Sequence, residues 1–158
     1  MAAFGNRIPL RDAAQPTICP VSGVQVIVVG AGPAGLAAAA EARRNGLIVE
    51  VLEATDSVAA SWRGHYDRLH LHTTRGLSGL PGHPIPKEMG RWVARDNFVS
   101  YLEAYARDID VPISCGVRVQ RIDRGERGWQ LTTSRGLMDA RRLGRVLAER
   151  AASASAAA

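Results

Sequence analysis

The sequence predicts an α/β fold: a parallel βαβ unit, then long inserted loops, one further helix and a β-meander. Three observations carry that prediction. An unbroken apolar run, Gln25 to Val29, ends in a glycine turn, Gly30-Ala31-Gly32-Pro33-Ala34-Gly35. An alanine-rich stretch from Pro33 to about Asn45 follows, and Gly46 stands where a helix cap belongs. A second strand, Leu47 to Leu52 with Glu50 as its one polar residue, then ends on Glu53.

Apolar runs without alternation are what a parallel sheet needs, because helices and loops cover both of its faces. In the glycine turn, Gly30 permits the tight bend, Gly32 lets the backbone come close to a ligand, and Gly35 lets helix and strand pack together. Pro33 suits a first helical position, where its missing N–H costs nothing. Arg43 and Arg44 fall in the last turn and complement the negative end of the helix dipole. A strand, a GxGxxG turn and a helix N-terminus together form a Rossmann-like cradle for a dinucleotide pyrophosphate. The backbone of Gly30, Ala31, Gly32, Pro33, Ala34 and Gly35 is therefore the candidate phosphate site. Glu53 lies about 20 residues further on, where a carboxylate accepts hydrogen bonds from a ribose diol. A glutamate there repels a 2′-phosphate, so these residues point to FAD or NAD and away from NADP.

Beyond Thr55 the pattern changes. Residues 56–95 are rich in Gly, Pro, His and Arg, and read as ligand-facing loops with short strands. Asp96 is placed to cap a helix running to about Asp108, with Phe98, Leu102, Tyr105 and Ile109 along one face. Val111 to Ser114 reads as a short extended piece. Val117–Ile122 and Trp129–Thr133 alternate as strands of a meander around the turn from Arg124 to Gly128.

At 158 residues the chain has room for one domain, and its net charge of +5 comes from scattered arginine. No nucleic-acid module or lysine block accompanies that charge, so no nucleic-acid partner is expected. Two cysteines, Cys19 and Cys115, suit reduced cytoplasmic thiols better than a disulfide framework. Prolines interrupt residues 1–22, and no apolar run is long enough for a membrane span. The expectation is a soluble cytoplasmic protein; nothing in the sequence sets its oligomeric state. His70 and His72 would share a strand face, yet no third ligand is placed beside them, so no metal site is expected. Asp67 beside Arg68 reads as a surface pair or a loop organiser. No nucleophile elbow is present around Ser57 or Ser61.

The spacing from Gly30 through Ala39, Gly46 and Val49 to Glu53 resembles the FAD fingerprint of flavoproteins with two dinucleotide-binding domains. Ser61-Trp62-Arg63, the run Tyr66 to Thr73, and Leu80 to Pro86 are similar to the flavin-containing monooxygenases, in the indole-pyruvate (YUCCA-like) branch. Phe98 to Ala106 and Gly128 to Thr132 continue the likeness. This resemblance implies FAD as cofactor, NADPH as co-substrate, and O₂ and a small molecule as reactants. It places Ser61, Trp62, His72 and Thr73 against the flavin, and the backbone of Val119 against the adenine. His72 stands where the family usually has asparagine. No side chain is implied as a catalytic acid or base, because the cofactor carries the chemistry.

The resemblance also implies a lead-in over residues 1–22, an incomplete FAD-binding domain over 23–139, and a basic, then Ala/Ser-rich tail over 140–158. The family's closing sheet strand, second glycine fingerprint and distal domains are not recognisable after Arg142. The reading is therefore of a truncated member, with a non-catalytic nucleotide-binding remnant or half-protein as the alternative.

Overall fold

A computed structural model describes residues 23–126 and 128–145. The lead-in, Cys19 and the Ala/Ser-rich tail lie outside those residues. Strands β1 (Val26–Val29) and β2 (Val49–Leu52) pair in parallel on either side of helix α1 (Pro33–Arg44) in the chain. Gly32 is the N-cap and Pro33 opens the helix, as its fixed φ suits. Gly46, at φ +74°, takes the left-handed conformation that ends it. Arg43 in the last turn pairs with Asp110 at 3.0 Å, and Arg44 with Glu41 at 3.0 Å.

The parallel sheet runs β3 (Ile113–Ser114), β2, β1, β7 (Arg142–Arg145). β7 corrects the sequence reading. The closing strand was expected to be missing, yet Arg142–Arg145 pair with Val26–Val29 in parallel register. The segment is too short and too arginine-rich to carry a strand signal of its own. Pairing with β1 and contact of Gly144 with Val28 define it: a Cβ at Gly144 would sit 3.3 Å from the Val28 side chain. The first residues of the stretch read as a tail therefore complete the sheet.

Residues 56–95 also depart from expectation. They form short helices α2 (Ala60–Arg63) and α3 (Arg75–Ser78) and a 3₁₀ turn at Lys87–Met89. In place of short strands there are isolated bridges, His70 with Ala94 and Leu80 with His83. The Leu69–Leu71 stretch is pinned by backbone bonds from Leu71 N–H to Val93 O and from Arg95 N–H to Leu69 O, each 2.8 Å. Leu71, Ile85 and Val93 join the main core, so apolar burial holds these loops in place.

Helix α4 (Arg95–Asp108) buries Phe98, Leu102 and Tyr105 as their spacing predicts, and Ile109 follows them into the core. Its N-cap is Ala94. Asp96 sits inside the first turn with its carboxylate held by Arg95 at 2.8 Å, so it cannot turn back to cap. Asp67 likewise pairs with Arg95, at 2.9 Å, and not with its neighbour Arg68.

Two apolar clusters sandwich the parallel sheet. Val26, Val28, Val49 and Val51 face α1 and α4, while Ile27 and Leu52 face the meander residues Val117, Leu131 and Ala140. The meander is β4 (Val119–Gly125), β5 (Gly128–Thr133) and β6 (Gly136–Ala140), all antiparallel, with a register shift between Val119 and Arg121. Among the described residues no helix is long and apolar enough to cross a membrane.

Candidate functional site

The glycine turn is built by sterics. Gly30 has φ +102°, a conformation that side chains oppose. Gly35 packs its Cα face onto the turn so tightly that a Cβ would lie 1.9 Å from Gly30 O. Gly32 differs: its φ is −83° and a Cβ there would meet nothing within 4 Å. The space it leaves is open, in front of a helix N-terminus with no side-chain cap and no acid in its first turn. Such an end presents N–H groups and a positive dipole to an anion. Ala31 is buried below the turn, and Ala34 is exposed on the first turn of α1.

Glu53 closes the side of this cradle. Its Oε2 accepts from Ala31 N–H at 2.7 Å, and its Oε1 accepts from Thr55 N–H at 2.9 Å and Thr55 Oγ1 at 2.8 Å. Its main chain is bracketed too: Glu53 N–H donates to Ser114 O, and Val117 N–H donates to Glu53 O. The second of these bonds starts the meander, so Val119 lies two residues from an anchor on Glu53. The Val119 side chain packs partly buried against the second core. Burial, and then the carboxylates of Glu53 and Asp56, push the Cys115 thiol above its ordinary pKa.

The loops after β2 add a second chamber. Ala59, left-handed at φ +58°, donates its N–H to Ala31 O at 3.1 Å, which docks the start of α2 on the glycine turn. Trp62 then lines a cavity of about 450 Å³ with His65, Leu69, His70 and Leu71. His72, Thr73, Ser78 and Phe98 complete the wall. The Trp62 ring packs edge-on against Phe98 at 4.6 Å and His65 at 5.5 Å. Thr73 Oγ1 and Ser78 Oγ share a hydrogen bond of 2.6 Å. Trp62, His72 and Thr73 line one cavity, whereas Ser61 is exposed on α2 and does not line it.

His70 and His72 do not share a strand, since His70 makes an isolated bridge and its Nδ1 lies 3.0 Å from Arg68 O. Among the described residues no three His, Cys, Asp or Glu side chains converge as a metal site. Sequence reasoning missed Ala59, because an alanine carries no signal for a left-handed turn. It took Phe98 for core alone, although the same side chain also walls the cavity. A further cavity, of about 520 Å³, opens at the far end of the meander beside Val24 and Trp129. Its Glu126 and Asp139 carboxylates oppose a phosphate.

A family model described as pyridine nucleotide-disulphide oxidoreductase matches residues 27–144. The chain belongs to this family. Proteins it resembles include flavin monooxygenases. It is 40% identical over 113 residues to the indole-3-pyruvate monooxygenase YUCCA1 of Oryza sativa subsp. japonica, covering 70% of this chain and 28% of that protein. A flavin-containing monooxygenase from Stenotrophomonas maltophilia superposes with a TM-score of 0.73 at 31% identity, over 78% of this chain and 38% of its own. An oxidized steroid monooxygenase bound to NADP superposes at 0.68 with 28% identity, over 77% of this chain and 25% of its own. The chain spans about a quarter to two fifths of the length of these relatives and structures.

Proposed function

We propose that this chain forms the FAD-binding part of an NADPH-dependent flavoprotein monooxygenase acting with O₂ on a small molecule. The observation that carries the reading is the uncapped helix N-terminus at Gly32, with its empty approach and Glu53 fixed beside it. The donor set fits FAD. The backbone N–H groups of Gly32, Ala34 and Gly35 would hold the pyrophosphate, while Glu53, which already takes the Ala31 N–H, accepts from the adenosine ribose and Val119 backs the adenine. The flat ring system enters the chamber walled by Trp62, Phe98, His72 and Thr73; Ser61 contributes from the backbone of α2. Bound there, FAD would supply a hydride acceptor for NADPH and a centre for oxygen activation. The chain's own part is to bind, to orient the ring through Trp62, and to keep water off one face with Leu69, Leu71 and Phe98.

We place the cofactor-binding unit at residues 23–139 with β7 added, and the protein in the cytoplasm, a setting supported by its two cysteines. A second reading is FAD binding without oxygenation: among the described residues the one glycine fingerprint is Gly30 to Gly35, and FAD takes it.

Titration of the purified chain with FAD and with NAD, followed by flavin fluorescence and calorimetry, tests the common core of both. FAD binds more tightly, and Glu53→Gln weakens it by about 1–3 kcal/mol, the range for a lost charge-assisted bond. Equal or tighter NAD binding would sink the proposal. Product formed in step with NADPH consumption decides for oxygenation; FAD bound with no product formed decides for the second reading.

A further inference from the structure

The chamber beside the glycine turn is walled by aliphatic and aromatic groups, and three imidazoles, His65, His70 and His72, stand along it. Among the described residues no carboxylate lines it. The acids nearest in the chain are already engaged: Asp67 with Arg95, and Glu103 with Arg63. Fixed backbone bonds at Leu69, Leu71 and the His70–Ala94 bridge hold His70 and His72 in place, while Trp62 supports His65 edge-on. The Nδ1 of His70 lies 3.0 Å from Arg68 O, so that ring nitrogen is already engaged. His65 and His72 are the rings available to donate.

We infer that His65 and His72 make this chamber bind the reduced form of FAD more tightly than the oxidised form. The inference rests on the FAD reading above. Two-electron reduction of the ring with uptake of one proton leaves it with one more negative charge. Once FAD covers the exposed imidazoles and its ring lies against the apolar walls, that charge is costly unless a donor meets it, and a donor so covered counts for more than in water. An imidazole donates in its neutral form and more strongly when protonated. These two side chains therefore act as positioning donors that tune the cofactor's potential; they need take no proton from substrate.

The experiment is an anaerobic titration of the FAD-loaded 158-residue chain with dithionite against a reference dye, alongside the dissociation constant for oxidised FAD. His72→Leu and His65→Leu each lower the ratio of reduced to oxidised affinity about tenfold, a fall of ~30 mV for a two-electron couple. His72→Gln keeps a donor and retains most of the wild-type potential. Both histidines are exposed, so the variants are expected to fold, and His72→Asn provides a second polar replacement. An unchanged midpoint potential in both leucine variants, with FAD still bound, overturns the inference and leaves the FAD reading standing. Failure of the wild-type chain to bind oxidised FAD overturns both.

Discussion

The glycine turn and the Trp62 chamber are neighbours joined by one backbone bond, Ala59 N–H to Ala31 O, yet they are held together by different physics. The turn is backbone chemistry. Its shape follows from residues within six positions of one another, and removing a hydrogen's worth of space at Gly35 destroys it. The chamber is side-chain chemistry drawn from α2, the Leu69–Thr73 stretch, α3 and α4. Its walls are fixed by burial and by bonds across long sequence separations, so single exposed changes are tolerated. Backbone sites are thus legible and brittle, and side-chain chambers are less legible and more forgiving.

The largest expected effect breaks the first region. Gly35→Ala forces a methyl to within 1.9 Å of Gly30 O and should lower stability by about 3 kcal/mol or more, read from the urea midpoint. Gly32→Ala is its partner experiment. The methyl meets open space at an allowed φ, so the fold should survive with a shift of about 0.5 kcal/mol or less, while FAD affinity falls about tenfold or more. If the two alanines behave alike, packing and ligand approach are not separable within the turn.

The next test probes how the loops behind the chamber are held. Tyr101 accepts from Leu80 N–H at 2.6 Å and donates to His83 O at 2.5 Å, tying the 80–86 loop to α4. Tyr101→Phe leaves a backbone N–H without its acceptor and should cost about 1–3 kcal/mol in denaturant unfolding. Burial pushes the Tyr101 hydroxyl above its ordinary value of 10.0, against a smaller opposing effect of the Leu80 bond. The folded state therefore keeps this proton where the unfolded chain has lost it. Its contribution is complete below pH 10 and disappears as pH rises through the folded value. Melting curves above pH 10 should fall more gently for Tyr101→Phe than for the wild type; identical slopes would remove Tyr101 from the account.

The smallest expected effect lies at the rim. Asp67 is 94% exposed where it meets Arg95. Asp67→Asn should change stability by less than about 1 kcal/mol, since solvent and salt screen such a pair and Asp96 remains on the same guanidinium. A larger loss would mean that the rim, and not the buried Leu71 and Val93, holds the chamber wall.

What the sequence determined by itself is the part of the protein whose geometry is local. The βαβ unit, the roles of Gly30 and Gly35, Pro33 at the helix start, Gly46 at its end and the apolar face of α4 all follow from spacing and from allowed φ/ψ. Tertiary structure decided the rest. It made Arg142–Arg145 a sheet strand because β1 offered a ladder to pair with, although arginines give no strand pattern. It drew Asp96 away from the cap and Asp67 away from Arg68, because Arg95 offered both a guanidinium partner. It set Ala59 left-handed on the glycine turn and assembled the chamber from segments that share no local signal. Contacts between distant residues depend on which surfaces the whole fold brings together, and no stretch of the chain encodes that alone.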